Sequence, residues 1–259
     1  MSVLLFEINE GVGTITLNRP NAFNSVTREL ALAFQEALDT CANREDVRSV
    51  LITGSGRAFC AGQDLKEITD EENRPGFRVI LDEHFKPIIL KIRELEKPVI
   101  AAVNGVAAGA GANIALACDI VLASEKASFI QAFSAIGLIP DSGGTFFLPR
   151  LIGFQKALAI SMLGDKISAS EAERIGMIYK VLPAEEFMDE AQKLAQRMAS
   201  MATKGLALTK KAFNQSLSND LQAQLTMETA TQLAAFETYD YNEGVQAFVE
   251  KRKAEFKGK

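Results

Sequence analysis

Residues 98–124 read PVIAAVNGVAAGAGANIALACDIVLAS, and this stretch decides the fold class. The runs 98–105 and 119–124 are almost wholly apolar, as strands buried on both faces of a sheet are. Between them, residues 110–118 have the composition and spacing of a short helix. A further apolar run, SVLITG at 49–54, predicts another buried strand. Strands that alternate with helices in this way predict an α/β fold with a largely parallel sheet.

Outward from this core, the pattern changes from strands to helices. The elements predicted before the core are strands at 3–8 and 13–17, a helix from near Ser25, a loop over 54–64, a charged segment around 65–76 and a helix over about 75–95. Those predicted after it are helices at 144–152, 154–163, 168–175, 184–201, 203–216 and 219–257, with one short strand at 179–183. The last helical segment is interrupted at Glu237–Gly244, which predicts two helices that meet near Asp240–Asn242. We therefore expect an α/β core over residues 1–200 and a C-terminal helical region over residues 201–259, within one domain.

Composition and charge exclude several classes of function. The chain has 259 residues, of which 47% are hydrophobic and 24% charged, and its net charge is −5. That charge disfavours nucleic acid as a partner, because duplex binding depends on neutralising phosphates. Three separated cysteines and a single histidine disfavour disulfides and metal sites built from Cys and His. The N-terminal stretch lacks a signal-peptide pattern, and no run approaches the ~18 apolar residues that a membrane-spanning helix needs. From these features together we expect a cytoplasmic protein without a metal or a membrane partner.

Two turns rich in small residues follow neighbouring buried strands. One is Ala58–Leu65 (AFCAGQDL), and the other contains Gly109-Ala-Gly111 at the start of a helix. The second turn imitates the GxGxxG pattern of dinucleotide-binding proteins, but Ile114 occupies the sixth position, where a small residue is needed. We therefore do not expect NAD. Such turns present backbone N–H groups, and one N–H from each can bind a single carbonyl oxygen as an oxyanion hole.

Several short motifs are distributed along almost the whole chain. They are Asn18–Pro20 (NRP), Ala58–Leu65 (AFCAGQDL), Lys97–Gly105 (KPVIAAVNG), Cys118–Ile120 (CDI), Gly143–Thr145 (GGT) and the C-terminal pattern from Glu243-Gly244 to Glu250–Lys253. Together they resemble the crotonase family, the enoyl-CoA hydratase/isomerase superfamily. The resemblance implies a fold of repeated ββα units and an acyl-CoA thioester as substrate, with no separate cofactor. It also implies trimers or dimers of trimers assembled through the helical tail.

The resemblance further implies the residues of the site. The amides of Ala61 and Ala110, at the two turns, would form the oxyanion hole. The residues implied to contact the substrate are Ala22, Ala61, Gly62, Gln63, Asp64, Leu65, Gly109, Gly111 and Phe133. Family hydratases carry two glutamates at the positions that Asn113 and Phe133 occupy here. Water addition needs groups that activate water and handle the Cα proton, so we expect hydratase activity to be weak or absent.

Asp141, within Ile139–Thr145 (IPDSGGT), is the remaining acid near the expected site. An Asp placed just before a helix is commonly its cap, and this is one interpretation. The resemblance implies the other, which we favour, because dienoyl-CoA isomerases and a chlorobenzoyl-CoA dehalogenase carry their catalytic aspartate here. The dehalogenase also uses a tryptophan, which this chain lacks. The strings at 139–150 and 59–65 are most similar to the branch that isomerises ring-epoxide CoA thioesters in bacterial phenylacetate breakdown and also moves Δ3 double bonds to Δ2.

Three functions are compared on this basis. The first, which we favour, is a CoA-thioester isomerase in which Asp141 acts as acid and base; roles as a nucleophile or an electrostatic guide stay open, as do the acyl group and the choice of trimer or hexamer. The second is an enoyl-CoA hydratase of β-oxidation that works with atypical residues. The third is a non-catalytic homologue that binds acyl-CoA or RNA. The two intact turns argue against the third function, and the acidic charge argues against RNA.

Overall fold

Two sheets form the centre of the fold in the computed structural model, which describes residues 2–69 and 74–259. The strands in these residues are β1 Leu4–Asn9, β2 Val12–Leu17, β3 Ser49–Gly54, β4 Ala58–Cys60, β5 Val99–Val103, β6 Val106–Ala108, β7 Ile120–Ser124, β8 Ser128–Ile130, β9 Ile167–Ser168 and β10 Lys180–Leu182. The larger sheet has the order β1-β2-β3-β5-β7-β10 and is parallel apart from the β1–β2 pair. The smaller sheet has the order β4-β6-β8-β9 and is antiparallel only between β8 and β9.

Helices connect these strands and then make up most of the second half of the chain. The helical segments are Pro20–Ala22 (3-10), α1 Arg28–Asn43, α2 Leu65–Thr69, α3 Phe77–Val79, Ile80–Phe85 (π), α4 Lys86–Glu94, α5 Ala110–Ala117, Ser134–Ile136 (3-10), α6 Gly144–Ile152, α7 Phe154–Leu163, α8 Ala169–Arg174, α9 Phe187–Ala199, α10 Thr203–Ser216, α11 Leu221–Phe236 and α12 Tyr239–Glu250. Within the described stretches of chain, no helix is both long and apolar enough to cross a membrane.

The core repeats one unit, which consists of a strand in the larger sheet, a short strand in the smaller sheet and a helix. The first unit is β3, β4 and α2, and the second is β5, β6 and α5. The ββα units implied by the resemblance are therefore confirmed. The predicted alternation of strand, helix and strand omitted β4, β6 and β8, because strands of three residues are too short to show a period. β4 lies inside the segment predicted as a loop over 54–64.

The central strand β3 is buried on both faces, as its apolar run predicted. Because successive side chains alternate between the faces of a strand, Val50 and Ile52 pack in one cluster with Phe34 of α1. Leu51 packs on the opposite face in a second cluster, with Phe187 of α9. Packing on both faces therefore holds β3, whose carboxyl end leads through β4 to the first of the two turns.

The first predicted helix begins later than expected, and part of the segment predicted only as charged is helical. α1 begins at Arg28, after Thr27, whose hydroxyl oxygen accepts a hydrogen bond from the Leu30 N–H at 3.3 Å. Ser25 does not begin it, because its hydroxyl group donates to Asp64 instead. The charged segment predicted around 65–76 begins as α2, and its residues 70–73 lie outside those that the structure describes.

The helix predicted over 219–257 is two helices, as the interruption indicated, but the break is at Thr238, a few residues before the predicted position. The chain after Glu250 is not helical and returns to the start of α12. There the buried Asp240 carboxylate accepts hydrogen bonds from the N–H groups of Lys257 and Gly258, at 2.6 and 2.8 Å. This tertiary contact is not visible in the local periodicity.

Candidate active site

The two small-residue turns lie against each other, backbone to backbone. Gly62 has a φ of +84°, and a Cβ atom there would lie 3.0 Å from the Ala108 carbonyl oxygen and 3.3 Å from the Ala110 nitrogen. A Cβ atom on Gly111 would lie only 2.2 Å from the Cys60 carbonyl oxygen. Glycine is needed at both positions because another residue's side chain would separate the turns. The two turns are therefore in close backbone contact at these glycines.

The N–H groups of the first turn differ in what they bind. The Ala61 N–H donates to the Phe23 carbonyl oxygen at 3.0 Å, and the Asp64 N–H donates to Val26 at 2.9 Å. The Gly62 N–H points to the Cys60 sulfur. Within the described chain, the Gln63 N–H has no acceptor. The open amide of this turn is thus that of Gln63, and Ala61, expected from the resemblance to supply it, is already engaged.

The second turn presents the amide of Ala110, as expected. Gly109 precedes it with a φ of +53°, and the Gly109 N–H is held by the Ile130 carbonyl oxygen at 2.8 Å. Ala110 is the first residue of α5, so its N–H has no partner within the helix. The positive end of the helix dipole adds to its attraction for a negatively charged oxygen.

Two carboxylates hold the first turn in place. The buried Asp64 accepts hydrogen bonds from Arg19 at 2.8 Å, from the Ser25 hydroxyl at 3.0 Å and from the Lys66 N–H at 2.9 Å. Burial raises the pKa of Asp64, but these bonds outweigh it and keep the pKa below its ordinary value. Glu67 in turn accepts from the Gln63 side chain at 2.9 Å. The Asp64 carboxylate therefore positions the turn through contacts within the protein.

The other residues implied by the resemblance lie around these turns with different exposure. Phe133 is buried, with ring carbons 3.8 and 4.0 Å from where a Cβ atom on Gly109 would be. Ala22 is half-buried at the end of the Pro20–Ala22 turn, and the Leu65 side chain is exposed. Cys60 is fully buried, which raises the pKa of its thiol to about 12, so it is not a nucleophile at neutral pH.

The carboxylate of Asp141 is not a helix cap. α6 begins at Gly144 after Gly143, and no side chain caps it. The Asp141 side chain is half-buried and accepts a hydrogen bond from the Ser142 hydroxyl at 2.8 Å. Burial raises the pKa of Asp141, and the Ser142 hydrogen bond opposes this rise only in part. A desolvated carboxyl with a raised pKa is a candidate for proton transfer.

The backbone of Asp141 is joined to the helix that presents the second open amide. Its carbonyl oxygen accepts from the Gly144 N–H and from the Asn113 side chain, both at 2.8 Å. Asn113 lies on α5, one turn after Ala110. The tertiary structure therefore brings the Asp141 segment to the same end of α5 as the open amides.

An apolar cleft of about 470 Å³ opens beside Asp141. It is lined by Pro140 and Gly144 on either side of this residue, and by side chains of α6 and α7, including Leu148 and Leu158. Clefts of this size and character are typical of small-molecule sites.

Comparisons with known proteins show the family to which the chain belongs. The model of the enoyl-CoA hydratase/isomerase family matches residues 7–259. The chain therefore belongs to this family, the crotonase family, whose members act on acyl-CoA substrates. It is 43% identical over 261 residues, covering 100% of both chains, to 1,2-epoxyphenylacetyl-CoA isomerase of Escherichia coli strain K12. It is 42% identical over 254 residues, 98% of this chain and 97% of the relative, to a probable enoyl-CoA hydratase of Rhodobacter capsulatus.

The fold comparison gives the same family. The crystal structure of enoyl-CoA hydratase from Bacillus anthracis superimposes with a TM-score of 0.92 at 34% identity, covering 99% of this chain and 100% of that one. The predicted fold class is thus confirmed. Sequence reasoning missed the contribution of Arg19, because its signal is a contact with Asp64, which is distant in sequence. It also missed Glu67, whose contact with the nearby Gln63 depends on the shape of the turn.

Proposed function

We propose that this protein is a CoA-thioester isomerase in which Asp141 transfers the proton. The observation that carries the proposal is the Asp141 carboxylate: it caps no helix and burial raises its pKa. The backbone carbonyl of the same residue accepts a hydrogen bond from Asn113, on the helix that presents the Ala110 amide. The similarity to an epoxyphenylacetyl-CoA isomerase supports a substrate with a ring epoxide or a 3-enoyl chain.

In the proposed reaction, the thioester oxygen lies between the N–H groups of Gln63 and Ala110. Asp141 removes a proton from Cα or Cγ, and the electron pair moves onto the thioester oxygen to give an enolate. The protonated Asp141 then returns the same proton at the other carbon, so the double bond moves and no co-reactant is consumed. Two amide donors stabilise the enolate, and one such donor typically contributes ~3 kcal/mol to lowering the barrier. Coenzyme A enters only as part of the substrate.

With a ring epoxide as substrate, the same groups have a different task. The two amides hold the thioester carbonyl, and Asp141 guides opening of the epoxide by its charge or by proton transfer. The apolar cleft beside Asp141 accommodates the ring.

Hydration is the second candidate, and the hydratase names of several relatives favour it. Against it stand Asn113 and Phe133, which are buried and carry no ionisable group. Asn113 is also engaged at both ends of its amide, by Asp141 and by Gln131. Neither residue supplies the acid or base that water addition requires.

A screen of CoA esters, followed by ultraviolet absorbance, tests the proposal. We expect turnover of 3-enoyl-CoA or ring-epoxide CoA esters and at least ~100-fold slower hydration of crotonyl-CoA, the usual cost of a missing acid–base group. Efficient hydration of crotonyl-CoA with no isomerisation would contradict the proposal. Binding without turnover of any ester would leave the non-catalytic alternative.

We also propose that the protein associates into trimers or hexamers, and light scattering tests this. Phe248 is 86% exposed and Val249 71% exposed on α12, and monomers rarely expose large apolar patches. Changing both residues to Ser should reduce the mass of the assembly and lower turnover at micromolar concentration. Leu5→Ser, at an exposed apolar residue of β1, is the control and should leave the mass unchanged. A monomeric wild-type protein with full activity would contradict this expectation.

A further inference from the structure

Asn113 and Gln131 form a buried amide pair behind the Asp141 segment. Gln131 Nε2 donates to Asn113 Oδ1 at 2.9 Å, and Asn113 Nδ2 donates to the Asp141 carbonyl oxygen at 2.8 Å. Asn113 has no exposed surface and Gln131 is 1% exposed. Because Gln131 donates to one end of the Asn113 amide, the other end must present its NH₂ group to Asp141.

The segment that this pair holds is a strained one. Ser142 has a φ of +49° although it is not glycine, a backbone conformation that costs ~1–2 kcal/mol for an L-residue. Such a conformation persists only where the surroundings enforce it. The Asp141 carbonyl oxygen provides the attachment, since it accepts from both Asn113 and the Gly144 N–H.

The start of α6 packs closely against the amide pair. A Cβ atom on Gly144 would lie 2.4 Å from Asn113 Nδ2, so glycine is what allows the start of α6 to reach the amide. Gln131 Oε1 is buried without a donor among the described residues.

We propose that Asn113 and Gln131 are positioning residues that orient the Asp141 carboxyl by fixing the backbone of that residue. This proposal rests on the proposed isomerase function. Asn113 joins the backbone of Asp141 to the helix that presents the Ala110 amide. The pair therefore sets the distance between the proton-transfer group and the oxyanion site. Neither residue touches the substrate.

The experiment compares Asn113→Ala, Gln131→Met and the double variant with the wild-type protein, using the 3-enoyl or epoxide ester that the screen identifies. A misplacement of about 1 Å can cost ~100-fold in rate. We expect Asn113→Ala to lower kcat at least ~10-fold with KM changed less than ~2-fold, because binding groups are untouched. The double variant should be no slower than Asn113→Ala, since the two residues act as one unit.

The pH profile separates positioning from simple loss of stability. Burial and the Ser142 hydroxyl are the influences on the Asp141 pKa, and no charged side chain of the described residues contributes. Freeing the segment should hydrate the carboxyl and move the acidic limb of kcat/KM to lower pH. Ser49→Ala removes a buried hydrogen bond of 2.8 Å to the Ala195 carbonyl oxygen of α9, and it should lower Tm without moving the acidic limb of the kcat/KM profile.

The proposal would be overturned if folded Asn113→Ala kept both the wild-type kcat and the acidic limb of the kcat/KM profile. It would also be overturned if the kcat losses of the two single variants multiplied in the double variant. If Asn113→Ala does not fold, the test rests on Gln131→Met, and the acidic limb of its kcat/KM profile is compared with that of the wild type. Asp141→Asn is measured in parallel. If it keeps full turnover, the proposed function fails; if it is inactive while the Asn113 and Gln131 variants behave as wild type, only the positioning role fails.

Discussion

Asp141→Asn is expected to lower isomerase turnover by at least ~100-fold, the lower range for a lost acid–base group. The substitution keeps the shape of the side chain and the hydrogen bond from Ser142, so the fold and the affinity for CoA esters should be retained. Steady-state rates and the binding of a saturated acyl-CoA measure the two effects separately. Near-normal turnover in the folded variant would remove Asp141 from the mechanism.

The same substitution changes the dependence on pH. A base is active when ionised, so wild-type kcat/KM should fall as the pH drops through the Asp141 pKa, which burial raises above the ordinary value for Asp. The variant should lack this limb. Because the pKa of Asp141 is higher in the folded state than in the unfolded chain, ionisation of this group disfavours folding. The stability that it contributes is present at low pH and is lost as the pH rises from its unfolded pKa through its folded pKa. Asp141→Asn should therefore melt at the same or a higher temperature than wild type at pH 7.

Asp39→Asn provides the matched control for this comparison. Asp39 is an exposed carboxylate on α1, paired with Lys91. An exposed pair of this kind contributes little to stability. The control should keep both the turnover and the acidic limb of the wild-type protein.

Gly62→Ala is the second change expected to have a large effect, of about 100-fold on kcat. The new Cβ atom would lie 3.0 Å from the Ala108 carbonyl oxygen and 3.3 Å from the Ala110 nitrogen, on a backbone with a φ of +84°. The turn must shift to relieve these contacts, which separates the Gln63 and Ala110 amides. Loss of one oxyanion donor alone costs ~100- to 1,000-fold, whereas CoA binding elsewhere should change little.

Gly176→Ala distinguishes this effect from the cost of a positive φ. Gly176 has a φ of +78°. A Cβ atom added there would have the Leu151 carbonyl oxygen as its nearest neighbour, at 3.7 Å, which is an ordinary contact. Both variants should lose the stability that a positive φ costs, and Gly62→Ala should lose more because of its close contacts, but the control should keep wild-type kcat. If Gly62→Ala keeps it as well, the two turns do not form the oxyanion site.

Much of the fold follows from local pattern. The runs at 49–54 and 98–105 predict β3 and β5 because strands covered on both faces are apolar throughout. The helices Gly144–Ile152 and Phe154–Leu163 agree with their predicted bounds, since Gly143 and Gly153 mark their starts. The short strands of the smaller sheet could not be predicted in this way, because their residues are held by partners far along the chain.

The sequence by itself determined that two glycine-containing turns follow neighbouring strands, and the family resemblance pointed to Asp141 as the acid expected near them. The tertiary structure alone decided which amide of the first turn is open, because the Phe23 carbonyl oxygen takes the Ala61 N–H and leaves that of Gln63. It also decided the role of Asn113, whose amide reaches Asp141 from another element. The direction of an N–H group depends on the acceptor it meets, and residues distant in sequence supply that acceptor.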